Sequence, residues 1–438
     1  MIAVVLRHRL AKNTLTKLSS ELVGRLAMLA LVILAARRLG AASFGLYSYG
    51  LALGLVWAQV ADMGLQVLTA REVAVHGRAS QSYARMAFHL KLGLSLVVIA
   101  GLLLATANQP PPARLSLLLL GVMQLSNTFL EFMAYIFRGQ QALAQEAWLL
   151  GAARVMMAVT GVLILWRGGG VNGLALAGLA AILTMTTIGL YRLRQAGWLQ
   201  RLSRPVTDPV PGDYTYGRLL RHALPLGIAI FLSIAYTRLA VLMLQARLGE
   251  TAVAQFSAAA RLVEPMQIIP ASLLAAVFPA IALAWQQNRA HARRLGIHVS
   301  GLLAGCGLLL AIAFWWVAGW LMPLLYGRAY TPGIPVLQLL ALALIPAFAN
   351  YSLTHYLIAR RQQAYLTFFN GGMLAVHALL CWRFIPIYGI TGPAISMILA
   401  ECLLFIACLF VLLFANPRPG PPPERGKEQM PSVGEAKS

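Results

Sequence analysis

Arg25, Arg154, Arg238 and Arg261 each lie inside a long apolar run, well away from its ends. A guanidinium is a planar fork of donors that grips phosphate or carboxylate oxygens in pairs, so its chemistry is the holding of anions. At the centre of a spanning helix an arginine costs about 2.5–3.5 kcal/mol on insertion scales. Several such charges persist only where they face protein or water. Buried fixed positive charge therefore suggests a passage for something negative.

The four differ in their neighbours. Arg261 has Glu264 at i+3 on the same helical face, and Pro265, Pro270 and Pro279 are expected to break the helix beyond it. Proline-interrupted spans point to binding sites in repeat transporters. The competing reading is a structural Arg261–Glu264 pair that buries both charges. Arg238 has no acid within one helical turn, so no intrahelical pair satisfies it and a cavity role is favoured. Arg25 has Glu21 at i−4, and Arg154 sits toward one end of its span, where it can snorkel to the surface.

Polar side chains also recur at helical spacing between residues 115 and 137: Gln124, Asn127 with Thr128, Glu131 and Tyr135. That face is either wet or hydrogen-bonded to a neighbouring helix. Asp62 reads as a coupling site for a proton or Na⁺, or as a partner for one of the arginines. Glu401 reads as structural, and the isolated His89 and His377 as packing or interfacial residues. Cys306, Cys381, Cys402 and Cys408 show no metal or CxxC spacing. Nothing resembles a hydrolase triad, a metal cluster or a phosphate-cradling loop, and Gly168–Gly170 is a tight loop. Neither an enzyme nor a cofactor or metal is expected.

The elements that must position these residues are membrane spans. Of 438 residues 59% are hydrophobic and 11% charged, where a soluble domain carries about 25% charged residues. A span needs about 20 mainly apolar residues. Such runs fall near 18–36, 44–70, 86–107, 115–137, 147–166 and 172–191, then near 222–246, 251–285, 297–320, 333–357, 366–385 and 392–414. The expected fold class is an all-α polytopic membrane protein of about twelve transmembrane helices. With the N-terminus inside, 24 of the 35 Lys and Arg, Lys91 among them, fall in segments on one side and 7 on the other. The positive-inside rule then sets both termini in the cytoplasm of a multi-pass membrane protein, and the inner membrane is the expected location. The +22 net charge follows from these loops, so nucleic acid is not an expected partner. No cleaved signal peptide is read at the N-terminus.

The chain repeats itself. RLGAASFGLYS (Arg38 to Ser48) matches RLGETAVAQFS (Arg247 to Ser257), YIFRGQQ is echoed by YLIARRQQ, and GVNGLA by GITGPA, in the same order. Two parallel-repeat six-helix bundles around a central cavity follow, with a site near the midplane between them. The expected domains are 1–195 and 222–414, joined by a Pro-rich cytoplasmic linker at 196–221 and followed by a disordered tail at 415–438.

ARRLGAASFGLYSYG, DMGLQVLTAREVA and LLYGRAYTPGIPVLQLLAL resemble the Wzx-type polysaccharide (O-antigen) flippases of the multidrug/oligosaccharidyl-lipid/polysaccharide exporter superfamily. The resemblance runs from about Asn13 to Phe414. It implies a V-shaped, cation-lined cavity with alternating access, in which an undecaprenyl-diphosphate-linked oligosaccharide moves from the cytoplasmic to the periplasmic leaflet for surface polysaccharide or lipopolysaccharide biosynthesis. Its partners are that lipid-linked substrate and the bilayer, with a polysaccharide polymerase and chain-length machinery as further candidates. Arg25, Arg238 and Arg261 lie on spans that line the family's cavity.

Two other classes compete. A cation-coupled multidrug exporter of the same superfamily predicts acids dominating the cavity, whereas here arginines match or exceed isolated acids. A membrane-embedded polymerase or glycosyltransferase predicts a large external loop or an acidic metal motif, and neither is visible. Lipid II flippases, a further relative, carry two additional spans. Shifting by 209 residues sets Arg238, Arg261 and Arg25 opposite Leu29, Ala52 and Ile234, so the repeat preserves scaffold and the arginines depart from it.

Overall fold

The computed structural model describes residues 2–198, 215–360 and 364–414. The tail and most of the linker lie outside the described residues. Among the described residues there are thirteen α-helices. The N-terminal half holds α1 (Ile2–Asp62), α2 (Leu65–His76), α3 (Gln81–Ala105), α4 (Pro111–Gly139), α5 (Leu143–Trp166) and α6 (Val171–Gln195). The C-terminal half holds α7 (Tyr216–Leu248), α8 (Glu250–Val263), α9 (Ile268–Gln287), α10 (Arg289–Tyr326), α11 (Ile334–Ala359), α12 (Ala364–Tyr388) and α13 (Gly392–Phe414). Helix α7 starts at Tyr216, six residues before the expected domain boundary at 222.

Among the described residues ten stretches are long and apolar enough to cross a membrane, and two of them, Ser19–Asp62 and Phe368–Phe414, run to 44 and 47 residues. A straight helix of 44 residues would reach about 66 Å, twice the roughly 30 Å hydrocarbon core. Each of the two is broken near its middle and holds two spans, whereas Leu65–Ala105 joins the short α2 to a single span, α3, so the count comes to twelve. The first divides at Gly40 (φ 78°, ψ 168°), the second at the short 3₁₀ turn Gly389–Thr391.

Gly40 has a counterpart 209 residues on. Gly249, between α7 and α8, adopts φ 79° and ψ −170°, so both halves join their first and second spans through one residue of the same conformation. Only glycine enters that region without strain. The RLG repeat is thus a repeat of backbone geometry as well as of letters. Each half's second span is also interrupted beside a carboxylate. In the first half α1 stops at Asp62, and Met63 (φ 39°) and Gly64 (φ 80°) precede α2. In the second, the 3₁₀ segment Glu264–Gln267 separates α8 from α9. Of the prolines expected to break this span, Pro265 opens that segment, while α9 continues through Pro279 without leaving helical geometry.

Within the first half α1 packs on α4 and α5, and α6 closes against both of these; within the second, α10 and α13 pack on α11, and α12 joins α13 to α7. Helix α1 spans the divide by lying against α7 and α8. At the end bearing Gly40 and Gly249 the halves are tied by polar bonds to backbone. Tyr330 Oη donates to Ala36 O at 3.1 Å, and Arg37 donates through Nε to Leu325 O at 2.6 Å and through a second nitrogen to Leu324 O. The Tyr330 ring meets Phe44 edge-on at 6.1 Å. In lipid, where burial of apolar surface drives little helix association, such bonds and close backbone approach hold helices together.

Candidate functional site

Arg238 on α7, Arg261 on α8 and Glu264 at the start of the 3₁₀ break meet in a cavity of about 190 Å³ between the halves. Tyr47, Ser48 and Gln124 of the first half form the facing wall. The interruption at Glu264 brings these side chains together, because it lets the carboxylate reach α7 as well as its own helix. Arg238 donates to Glu264 Oε1 at 2.9 Å and Arg261 to Glu264 Oε2 at 3.4 Å. The three side chains are 22%, 29% and 39% exposed, so all keep a face open to the cavity. The expectation that Arg238 lacks an acid along its own helix holds, but the structure supplies one from across α8. The Arg261–Glu264 pair also forms, and Arg261 lines the cavity as well.

Charge does not balance here. Two guanidinium groups share one carboxylate, which leaves one positive charge in excess. Arg238 Nε is buried with no hydrogen-bond partner among the described residues. Donors in excess of acceptors in a low-dielectric cavity favour an anion with several oxygens.

Arg25 and Arg154 stand apart from this cavity. Arg25 pairs with Glu21 at 3.7 Å on its own helix, with the two side chains 44% and 35% exposed. Arg154 lies along the first span, where its Cδ fills the space beside Gly24. A second polar cluster lies inside the first half.

That second cluster centres on Lys91, which was expected in a loop segment. Lys91 is instead fully buried on α3, with Nζ 3.1 Å from Asp62 Oδ1. Lys91 lies ten residues into α3, so its ammonium cannot reach a helix end. Asp62 thus pairs with a lysine and not with an arginine, and the loop count falls to 23 against 7. Glu131 feels both charges and accepts from Asn127 Nδ2 at 2.9 Å. The stripe on α4 therefore divides in function: Gln124 faces the cavity, while Asn127 and Glu131 serve the buried cluster. Tyr135 lies under the Arg138 guanidinium, 3.9 Å from it.

In the second half Glu401 of α13 accepts from Tyr236 Oη at 3.0 Å and from Asn350 Nδ2 at 2.8 Å. His377 lies beside Tyr236 and bonds Ser396 Oγ through Nδ1 at 2.6 Å. Tyr236 and Asn350 escape a reading by spacing because their shared partner is on a third helix. His89 meets Tyr216 Oη at 3.2 Å, a contact between α3 and the start of α7.

Comparison with known proteins adds the lineage. Residues 10–285 match the family described as polysaccharide biosynthesis protein. No curated protein sequence matches the chain. Among solved structures, an inward-facing multidrug resistance MATE family transporter of the MOP superfamily superposes with TM-score 0.72 at 16% identity, covering 90% of this chain and 96% of its own. The lipid II flippase MurJ in an inward closed conformation gives 0.67 at 12% identity, covering 91% and 87%. An outward-facing MATE transporter of the same superfamily gives 0.61 at 16% identity, covering 92% and 94%. These likenesses establish the fold: two repeated six-helix bundles with a cavity between them.

Proposed function

Because the chain belongs to the polysaccharide biosynthesis protein family, we propose that it is a Wzx-type flippase. Its substrate in this reading is an undecaprenyl-diphosphate-linked oligosaccharide, carried from the cytoplasmic to the periplasmic leaflet of the inner membrane with both termini cytoplasmic. The reading rests above all on Arg238 and Arg261 sharing Glu264 in the interhalf cavity. A diphosphate offers the paired oxygens that two guanidinium forks need, and it can displace the single carboxylate between them. The prenyl tail stays in lipid, so only the sugar and diphosphate must cross the roughly 30 Å core in a polar passage. A cavity of about 190 Å³ suits the charged group alone, so the sugar chain requires the halves to separate further. Alternating access supplies that separation. In this reading the chain is a transporter and not an enzyme, and a polymerase with chain-length machinery takes over the delivered repeat unit.

Replacing Arg238 and Arg261 together by Ala tests the proposal. Surface polysaccharide falls and lipid-linked precursor accumulates if the two bind the diphosphate. Normal surface polysaccharide from a folded double variant overturns it. A cation-coupled multidrug exporter is the second reading, favoured by the fold likeness to MATE transporters. It predicts drug sensitivity, with no precursor accumulation, when the chain is deleted.

A further inference from the structure

A larger cavity, about 360 Å³, lies wholly within the second half, among α9, α10, α11 and α13. It shares no lining residue with the cavity of Arg238 and Arg261. Its chemistry is graded. Arg293, near the start of α10, and Arg360, capping the end of α11, stand where those helices terminate. Leu353 lies seven residues deeper along α11, about 10 Å at 1.5 Å per residue. Ile297 and Leu409 complete the apolar part of the wall, and among the described residues no acidic one lines the cavity. One end is therefore doubly basic and the other is hydrocarbon.

The basic end is built. Arg360 is 6% exposed, donates to Leu412 O at 3.1 Å and lies over the Trp285 ring at 5.3 Å. Trp285 in turn meets Tyr356 edge-on at 5.9 Å. A guanidinium held in this way is oriented before any ligand arrives. Trp and Tyr are the side chains that settle at headgroup depth in a bilayer. The wall beyond Arg293 is open to lipid, since Ile297, one turn deeper along α10, is 59% exposed.

We infer that this cavity is a binding site for an anionic phospholipid of the leaflet on the side where α10 begins and α11 ends. The phosphate sits between Arg293 and Arg360, and one acyl chain lies along Ile297, Leu353 and Leu409. A basic pocket between helices at a membrane face takes anionic headgroups by the same electrostatics that draw basic segments to such surfaces. A zwitterionic lipid offers the same chain but no net charge, so the two arginines discriminate against it. Because the site is separate from the interhalf cavity, it stands or falls apart from the transport reading.

The test uses the purified full-length protein in detergent, titrated with phosphatidylglycerol or phosphatidylcholine. Binding is followed by native mass spectrometry and by the melting temperature. Phosphatidylglycerol is expected to remain as one retained adduct and to raise the melting temperature, with phosphatidylcholine doing neither. Substituting Arg360 puts a buried, bonded side chain at risk, so the exposed Arg293 decides the outcome. Arg293→Gln is expected to weaken phosphatidylglycerol about fivefold, the equivalent of about 1 kcal/mol per basic residue near an anionic headgroup. Arg294→Gln, exposed beside the cavity but off its wall, is expected to leave affinity unchanged. Equal retention of the two lipids, unchanged affinity in Arg293→Gln, or an equal loss in Arg294→Gln overturns the site. Displacement of phosphatidylglycerol by equimolar undecaprenyl phosphate overturns the phospholipid assignment in favour of a prenyl lipid.

Discussion

Lys91 Nζ on α3 lies 3.1 Å from Asp62 Oδ1 at the end of α1, with the two side chains 0% and 1% exposed. The bond fastens α3 to the point where the second span breaks, and Gly64 N–H donates to the other Asp62 oxygen at 3.3 Å. The Lys91 ammonium also faces the Phe129 ring at 5.4 Å. Removing one partner of a buried pair leaves an uncompensated charge and costs about 3–5 kcal/mol, whereas replacing both by apolar residues is often neutral. Lys91→Met and Asp62→Leu are each expected to lower the melting temperature in detergent by several degrees. The double variant Lys91→Met/Asp62→Leu is expected to recover most of that loss. Additive losses in the double variant would refute the pairing as the source of the effect.

Glu264 competes with any anion for Arg238 and Arg261, since both arginines bond its carboxylate. Glu264→Gln keeps the shape and removes the charge. Binding of undecaprenyl diphosphate to the purified protein is expected to tighten by about tenfold, close to 1.4 kcal/mol. Turnover is expected to fall, because a ligand held more firmly leaves more slowly. Scintillation proximity binding alongside precursor accumulation in cells measures the two effects separately. Weaker binding in Glu264→Gln would mean that the carboxylate orients the arginines and does not compete for them.

The spans were legible because apolar runs of about 20 residues report burial in lipid directly, and the repeated RLG motif falls at the Gly40 and Gly249 turns. Arg261 with Glu264 was legible for a related reason, since i+3 spacing on one helix is a geometric fact. Arg238 with Glu264 was not, because the partners are 26 residues apart and meet only where α8 breaks. Lys91 was misread for its position: close behind a predicted loop, a lysine looks like a cytoplasmic anchor until the path of α3 carries it inward. Spacing reveals partners along a helix and is silent about partners across one.

Glu401 is held by neutral donors, Asn350 Nδ2 at 2.8 Å and Tyr236 Oη at 3.0 Å. Together they link α7, α11 and α13. Asn350 also donates to the Glu401 backbone oxygen at 2.8 Å, so it carries more of the junction than Tyr236 does. Asn350→Ala leaves a buried carboxyl group short of donors and is expected to cost about 1–3 kcal/mol. Tyr236→Phe is expected to cost less. Thermal unfolding of the two variants ranks them, and a larger loss in Tyr236→Phe would reverse the assignment.

Gly45 admits a close backbone approach between the halves. A Cβ built there would stand 1.8 Å from Glu250 O and 3.0 Å from Glu250 Cα, and backbone atoms cannot step aside as a flexible side chain can. Gly45→Ala must therefore part α1 from α8 at the end that Tyr330 and Arg37 otherwise seal. Access to the cavity from that end is the expected consequence. Ser48 lines the cavity and is 5% exposed, so Ser48→Cys in a background lacking the four native cysteines reports it. Labelling by a membrane-impermeant thiol reagent applied from the Gly40 side is expected to rise in Gly45→Ala. Gly93→Ala, where an added Cβ meets nothing within 4 Å, is expected to leave labelling unchanged. A rise in both variants would point to general loosening, and no rise in Gly45→Ala would mean that the seal does not depend on this contact.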